Sequence, residues 1–334
     1  ELAIDLGTAN TLIIIDDKIV VDEPSIVAMN RRTGETIAVG SKAMQMHEKT
    51  HEDIKTVRPL KDGVIADFKA AESLIEGLIK MAGTQRRFFT HLKMVICIPS
   101  GITEVEKRAV FDSADHVDSK ETYLIHEPMA AALGIGLDVE EPVGNMIIDI
   151  GGGTTEIAVI ALSGIVADQS IRTAGDEFTN DIVDYMKRQH NILIGERTAE
   201  QIKINVGSAL PELEDPPADY PVNGRDLMTG IPKQVTITYK EIAHALDKSI
   251  SKVEEAVLKA LETTPPELAS DIYKIGLYLT GGGALLRGLD KRISNNTKLP
   301  VHIPEDPLTA VVRGTGLALK NTHRYSFLID RKSV

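Results

Sequence analysis

Two short stretches of this sequence carry the same chemistry in the same order. Ala3-Ile4-Asp5-Leu6-Gly7-Thr8 and Ile147-Ile148-Asp149-Ile150-Gly151-Gly152-Gly153-Thr154 each run from apolar residues through aspartate to glycine and then threonine. A second apolar run follows each. Glycine turns let backbone N–H groups approach a phosphate closely, and threonine hydroxyls add donors. Aspartate at a strand end suits Mg2+ held through water, because that ion keeps several waters and takes few carboxylates. Asp5 and Asp149 would then flank a nucleotide's phosphates from opposite sides. The competing reading is a pair of structural hairpins with Asp in their turns. The recurrence of Asp, Gly and Thr together favours the ligand.

Three further features carry weaker signals. Thr280-Gly281-Gly282-Gly283-Ala284 follows an apolar run and precedes a helical stretch, where backbone N–H groups can bind an anion or a sugar. Glycine is also ordinary in such turns. Glu200 and Lys203 stand one helical turn apart; they could meet ribose and base, although a surface ion pair is the commoner meaning of that spacing. Glu127 precedes Pro128 and an alanine-rich helix. It suits a helix N-terminus, and equally the orientation of a water on a γ-phosphate. No Cys/His metal cluster, Walker A pattern or GxSxG elbow occurs.

These residues need strands and helices to hold them. Thr11–Ile15 and Lys18–Val21 read as a hairpin around Asp16-Asp17, and Met94–Ile98 as a buried strand ended by Pro99. Met146–Ile150 pairs with Ile157–Leu162, and Leu277–Thr280 is one more buried strand. Ala71, Leu74, Ile75, Leu78, Ile79 and Ala82 recur at helical spacing. Thr103 with Glu106, and Thr198 with Gln201, read as capping boxes. A helix through Ile250–Leu261 ends at Pro265-Pro266, and 211–233 reads as a surface elaboration. Alternation of this kind is α/β, and the repeated hairpin suggests two related lobes facing one ligand.

The composition fits. A chain of 334 residues exceeds one ordinary core, so two lobes are expected. A net charge of −12 argues against wrapping nucleic acid. The single cysteine, Cys97, fits a reducing cytoplasmic compartment. No stretch of 18 apolar residues is present to span a membrane.

The runs Asp5–Thr11, Asp149–Glu156 and Leu279–Leu286 resemble the phosphate-1, phosphate-2 and adenosine motifs of the actin superfamily. Arg58–Asp67, Glu127–Ala132, Pro265–Ile272 and Asp306–Ala310 are similar to one branch of it, the bacterial shape-determining MreB family. The resemblance implies an actin-like α/β fold: two lobes, each a mixed sheet flanked by helices, with a nucleotide cleft between them. Subdomain IA would span 1–28, 66–142 and 315–334, and IB 29–65. IIA would span 143–178 and 240–314, and IIB 179–239. It implies ATP or ADP with Mg2+, the phosphates held by Gly7, Thr8, Ala9, Asn10, Gly151, Gly152, Gly153 and Thr154. Adenosine would lie on Glu200, Lys203, Gly281, Gly282, Gly283 and Ala284. Glu127 and Thr154 would position the attacking water for slow hydrolysis.

The resemblance further implies homopolymeric filaments under the inner membrane, with membrane-bound cell-shape and wall-synthesis proteins as partners and no nucleic acid. Phe88-Phe89 beside Arg86-Arg87 suits a membrane-touching loop; packing of one or both under the neighbouring helix is the equal alternative. Asp112–Thr122 is more polar than the family's stretch there, and Thr179 stands where most relatives carry an acidic residue. Both are expected to lie away from the ATP site and to bear on filament contacts. The alternative function is a non-polymerising ATPase or kinase of the same superfamily, since the fold alone does not separate these.

Overall fold

The computed structural model describes residues 1–83, 92–117 and 119–330. Its two largest sheets are built to one plan. In the first, Leu2–Leu6 pairs antiparallel with Asn10–Ile15, which pairs antiparallel with Lys18–Pro24. On its other side Leu2–Leu6 runs parallel to Leu92–Ile98, and that strand runs parallel to Ser119–His126. In the second, Asn145–Ile150 pairs antiparallel with Thr155–Ala161, and that with Gly164–Ile171. Asn145–Ile150 also runs parallel to Leu277–Thr280. The repeat seen in the sequence is therefore a repeat of topology: a three-strand meander whose first strand accepts a parallel neighbour.

Local chemistry accounts for the elements. Asp16 and Asp17 take φ of 47° and 64°, the left-handed region a two-residue hairpin demands and aspartate tolerates. Asp67 accepts from Ala70 N–H at 3.0 Å and starts Phe68–Met81, whose buried face is Ala70, Ala71, Leu74, Ile75 and Leu78. The Thr103–Glu106 capping box forms and opens Glu104–Asp115. The expected Thr198–Gln201 box does not form: that helix runs Glu196–Val206, with Gly195 at its cap and no cap side chain of its own. Tyr239–Glu262 instead carries a Thr238–Glu241 box that the sequence reading passed over. Pro266 opens a helix of its own, Pro266–Ile275, because proline suits a first helical position. Segment 211–233 contributes to a small sheet through the antiparallel strands Tyr220–Asp226 and Pro232–Ile237. Val27–Asn30, Thr36–Val39 and Ile54–Val57 form another small sheet.

Among the described residues, three large apolar cores and a small one under Ile26, Ala28 and Ala43 hold this together. One packs Leu74, Leu78 and Phe111 on Ile4 and Ile96 of the first sheet. A second packs Phe178, Ile250 and Val257 on Ile148 and Val159 of the second sheet. The third lies between the sheets and contains the helices Glu127–Gly134 and Ala310–Lys320, with Ala3, Val95 and Cys97 on one side and Ile147 and Ala158 on the other. These two helices touch backbone to backbone. A Cβ on Gly314 would lie 1.7 Å from Ala130 O, and one on Gly134 would lie 1.8 Å from Ala310 O. Only glycine permits that approach.

Candidate functional site

The two acidic-glycine-threonine turns meet. A Cβ on Gly152 would lie 2.6 Å from Ala9 Cβ, and one on Gly153 would lie 2.6 Å from Thr8 Oγ1. Each turn is buttressed by its own lobe. Ser25 Oγ donates to Gly7 O at 2.6 Å and Ser25 N–H donates to Ala9 O at 2.8 Å. In the second turn, Gly175 N–H donates to Gly151 O at 3.1 Å and Asp176 N–H donates to Gly152 O at 2.8 Å. Both turns line a cavity of about 760 Å³ between the lobes. Asp5, Gly7, Thr8, Ala9, Asn10, Glu127, Asp149 and Gly151 to Thr154 all border it, as do Glu200, Lys203 and Gly281 to Gly283. Ala284 does not; it is buried behind the turn.

The cavity floor is acidic. Burial pushes Asp5 up to about 7, and the Asp149 charge adds to it. Burial likewise pushes Asp149 up to about 6, against a hydrogen bond from Thr280. Burial, then the charges of Glu156, Asp149 and Asp5, holds Glu127 well above the usual carboxylate range. Uncompensated carboxylates of this kind are costly until a cation shares their charge. Among the described residues no three His, Cys, Asp or Glu side chains come together to enclose a metal. Two aspartates, Asp5 and Asp149, bordering one cavity fit a cation that takes few carboxylates and keeps its water, as Mg2+ does. Beneath this floor Cys97 is buried, and its thiol is pushed well up by burial and by the same carboxylates.

The third glycine turn is pressed onto the second strand's end. Gly281 has φ of 78°, and a Cβ there would lie 2.4 Å from Ile150 O. Thr280 Oγ1 donates to Asp149 at 3.1 Å. The turn continues as a 3₁₀ segment, Gly282–Leu285, and the next α-helix starts only at Leu289; it is not the α-helix N-terminus expected. Leu285, Leu308 and Ile204 border the cavity, each residue more than half exposed, an apolar face suited to a flat ring.

Glu200 and Lys203 do pair, at 2.7 Å, but inside a larger network. Lys203 Nζ donates to Gly175 O at 2.8 Å and to Thr179 Oγ1 at 3.0 Å, and Thr179 Oγ1 lies 2.8 Å from Glu200 Oε2. Thr179 was expected away from the site. It is instead buried directly behind Glu200 and Lys203, because the helices Gly175–His190 and Glu196–Val206 pack side by side.

Sequence reasoning also missed the contacts over the cavity mouth. Arg58, from the first lobe, donates to Glu196, and His47 Nε2 lies 3.3 Å from the same carboxylate. Glu196 N–H donates to Glu48 Oε1 at 3.1 Å. Glu196 opens its helix in the second lobe, so these bonds bridge the lobes. No local pattern signals pairs separated by more than 130 positions. Phe88 and Phe89 lie outside the described residues.

The model of the MreB/Mbl protein family matches residues 1–326 of the chain. The chain belongs to the MreB/Mbl family. It is 47% identical over 325 residues to the cell shape-determining protein MreB of Escherichia coli K12, covering 96% of this chain and 93% of that protein. It is 44% identical over 322 residues to the cell shape-determining protein Mbl of Bacillus subtilis 168, covering 96% of each. Among solved structures it superposes on MreB5 of Spiroplasma citri bound to AMPPNP with a TM-score of 0.90 at 38% identity, over 97% of this chain and 96% of that one. A MamK double helical filament, at 19% identity and a TM-score of 0.79, shares the fold. The fold is therefore the actin-like one. Among the described residues no helix is long and apolar enough to cross a membrane.

Proposed function

We propose that this chain binds and slowly hydrolyses ATP, and that it assembles with copies of itself into membrane-associated filaments that help determine cell shape. The observation that carries this is the meeting of the two turns at Ala9 and Gly152 over an acidic floor, with a third glycine turn and an apolar face beside them. The backbone N–H groups of Gly7 to Asn10 and Gly152 to Thr154 suit a polyphosphate. Leu285, Leu308 and Ile204 suit the purine, and Glu200 and Lys203 the sugar. Asp5 and Asp149 would hold Mg2+ through water; when bound, that ion shields the phosphate charge during transfer. Glu127 and Thr154 would position the attacking water.

Family membership and the AMPPNP-bound and ADP-bound Spiroplasma structures support the nucleotide. Filaments, the inner face of the cytoplasmic membrane, and shape and wall-synthesis proteins as partners follow from the family reading. The small sheets would belong to outer subdomains at 29–65 and 179–239, and Phe88-Phe89 is the candidate membrane contact. The test is sedimentation of the purified chain with ATP, ADP or no nucleotide, with and without anionic vesicles. ATP-dependent pelleting and phosphate release are expected. Phosphate release without pelleting would leave the non-polymerising ATPase, and absence of both would overturn the reading.

A further inference from the structure

Glu156 closes the second aspartate-glycine-threonine stretch, yet it does not line the cavity. Its side chain is fully buried. It is also shared between the lobes. Oε2 accepts from Ser100 N–H at 3.1 Å and from the Ser100 hydroxyl; Oε1 accepts from Ser170 Oγ at 2.6 Å. Ser100 follows the Leu92–Ile98 strand of the first sheet, whereas Ser170 lies opposite Glu156 in the second.

The turn it holds touches Gly63, which borders the cavity. A Cβ on Gly101 would lie 3.0 Å from Ser170 Cβ, so the two lobes also touch here. One on Gly63 would lie 2.8 Å from Pro99 Cγ and 3.0 Å from Thr154 Cγ2, so Pro99 and Thr154 both press on Gly63. Pro99 O accepts from His126 Nδ1 at 3.3 Å. His126 directly precedes Glu127, the first residue of its helix.

We propose that Glu156 is a positioning residue for hydrolysis: by accepting hydrogen bonds from Ser100 and Ser170 it fixes the Pro99–Gly101 turn between the lobes, and through that turn it sets Glu127 relative to Thr154. This rests on the ATPase reading above. Any buried carboxylate needs donors, but these two come from opposite lobes, so the bonds tie the Pro99–Gly101 turn to the second sheet. It also sits one turn away from both water-orienting residues. Misplacing a reacting group by about 1 Å can cost about 100-fold in rate, so the bonds of Glu156 affect turnover rather than affinity.

The test compares Glu156→Ala, Glu156→Gln and Ser100→Ala with the unaltered chain, below the polymerising concentration. Single-turnover phosphate release, affinity for a fluorescent ATP analogue with Mg2+, and melting temperature are read together. Glu156→Ala is expected to slow release by about 30-fold or more while affinity stays within about threefold. Glu156→Gln, whose amide can accept from Ser100 and donate to Ser170, should recover most of the rate, and Ser100→Ala should fall between. Normal release by Glu156→Ala overturns the proposal. So does a parallel loss of affinity, rate and melting temperature, which would mark a purely structural carboxylate. A glutamine variant as slow as the alanine one would overturn it too, since charge and not bonding would then matter. If Glu156→Ala does not fold, Ser100→Ala with the carboxylate intact decides by the same readings. Failure of the unaltered chain to release phosphate would instead sink the ATPase reading itself.

Discussion

Replacing Gly314 by alanine would drive a methyl group into the backbone of the Glu127–Gly134 helix. The added carbon would lie 1.7 Å from Ala130 O, 2.6 Å from Ala130 C and 2.8 Å from Gly134 N. Carbon contacts are comfortable at about 3.5 Å, so the helices must part by about 1.5 Å. Backbone cannot rotate away as a side chain can, and over-packing of this kind costs about 1–3 kcal/mol or more. Alanine's better helix propensity returns at most about 1 kcal/mol. Gly316 is the internal control. It lies on the same helix, and a Cβ there would meet only the Ile14 side chain at 3.4 Å, an ordinary contact. Gly316→Ala should therefore be neutral or stabilising by up to about 1 kcal/mol, while Gly314→Ala destabilises by about 2 kcal/mol. Urea unfolding of the two variants reads the difference. Because Glu127 rides on the displaced helix, Gly314→Ala should also slow phosphate release by up to about 100-fold. Equal stability of the two variants would refute the claim that the helices bear on each other through bare backbone.

Other perturbations follow from the cleft. Glu127→Gln should slow phosphate release by about 10²–10⁴-fold with nucleotide affinity nearly kept, as single-turnover and binding measurements would show. Asp5 and Asp149 titrate at about 7 and about 6 in the folded nucleotide-free chain, against 3.8 ordinarily. Between pH 4 and 7, roughly, the folded chain thus holds more protons than the unfolded one, so stability falls as pH rises through that window. The melting temperature without nucleotide should be higher at pH 5.5 than at pH 7.5, and Asp5→Asn should flatten the slope; a rise with pH would contradict the assignment. Glu196→Ala removes the partner of Arg58 and His47 over the mouth. These side chains are partly exposed, so the effect should be modest, roughly two- to fivefold faster nucleotide dissociation in stopped flow.

What could be read from the chain and what could not divides along sequence distance. The hairpins around Asp16-Asp17 and Gly151–Gly153 announce themselves because turn chemistry and strand pattern lie within a dozen residues. The Thr103–Glu106 box is equally local, and it forms. Thr198–Gln201 has the same letters and fails. The Glu196–Val206 helix starts earlier, where a carboxylate from the other lobe, Glu48, accepts from Glu196 N–H. A cap supplied from 148 positions away leaves no trace in local pattern. Thr179 was misplaced for the same reason: its partners are 21 and 24 residues on, joined to it only by helix packing. Ser25, Arg58 and Glu156 look like ordinary polar residues until the fold places them beside a turn, a mouth and a second sheet.

The solitary thiol has a practical consequence. Thiol reagents attack the thiolate, and Cys97 is both sealed from solvent and held in its neutral form. A maleimide dye should therefore leave the native chain unmarked, and any cysteine introduced on the outside would be the sole point of attachment. One fluorophore on each rim of the mouth would then report, in a single molecule, how far the two halves swing apart as nucleotide comes and goes.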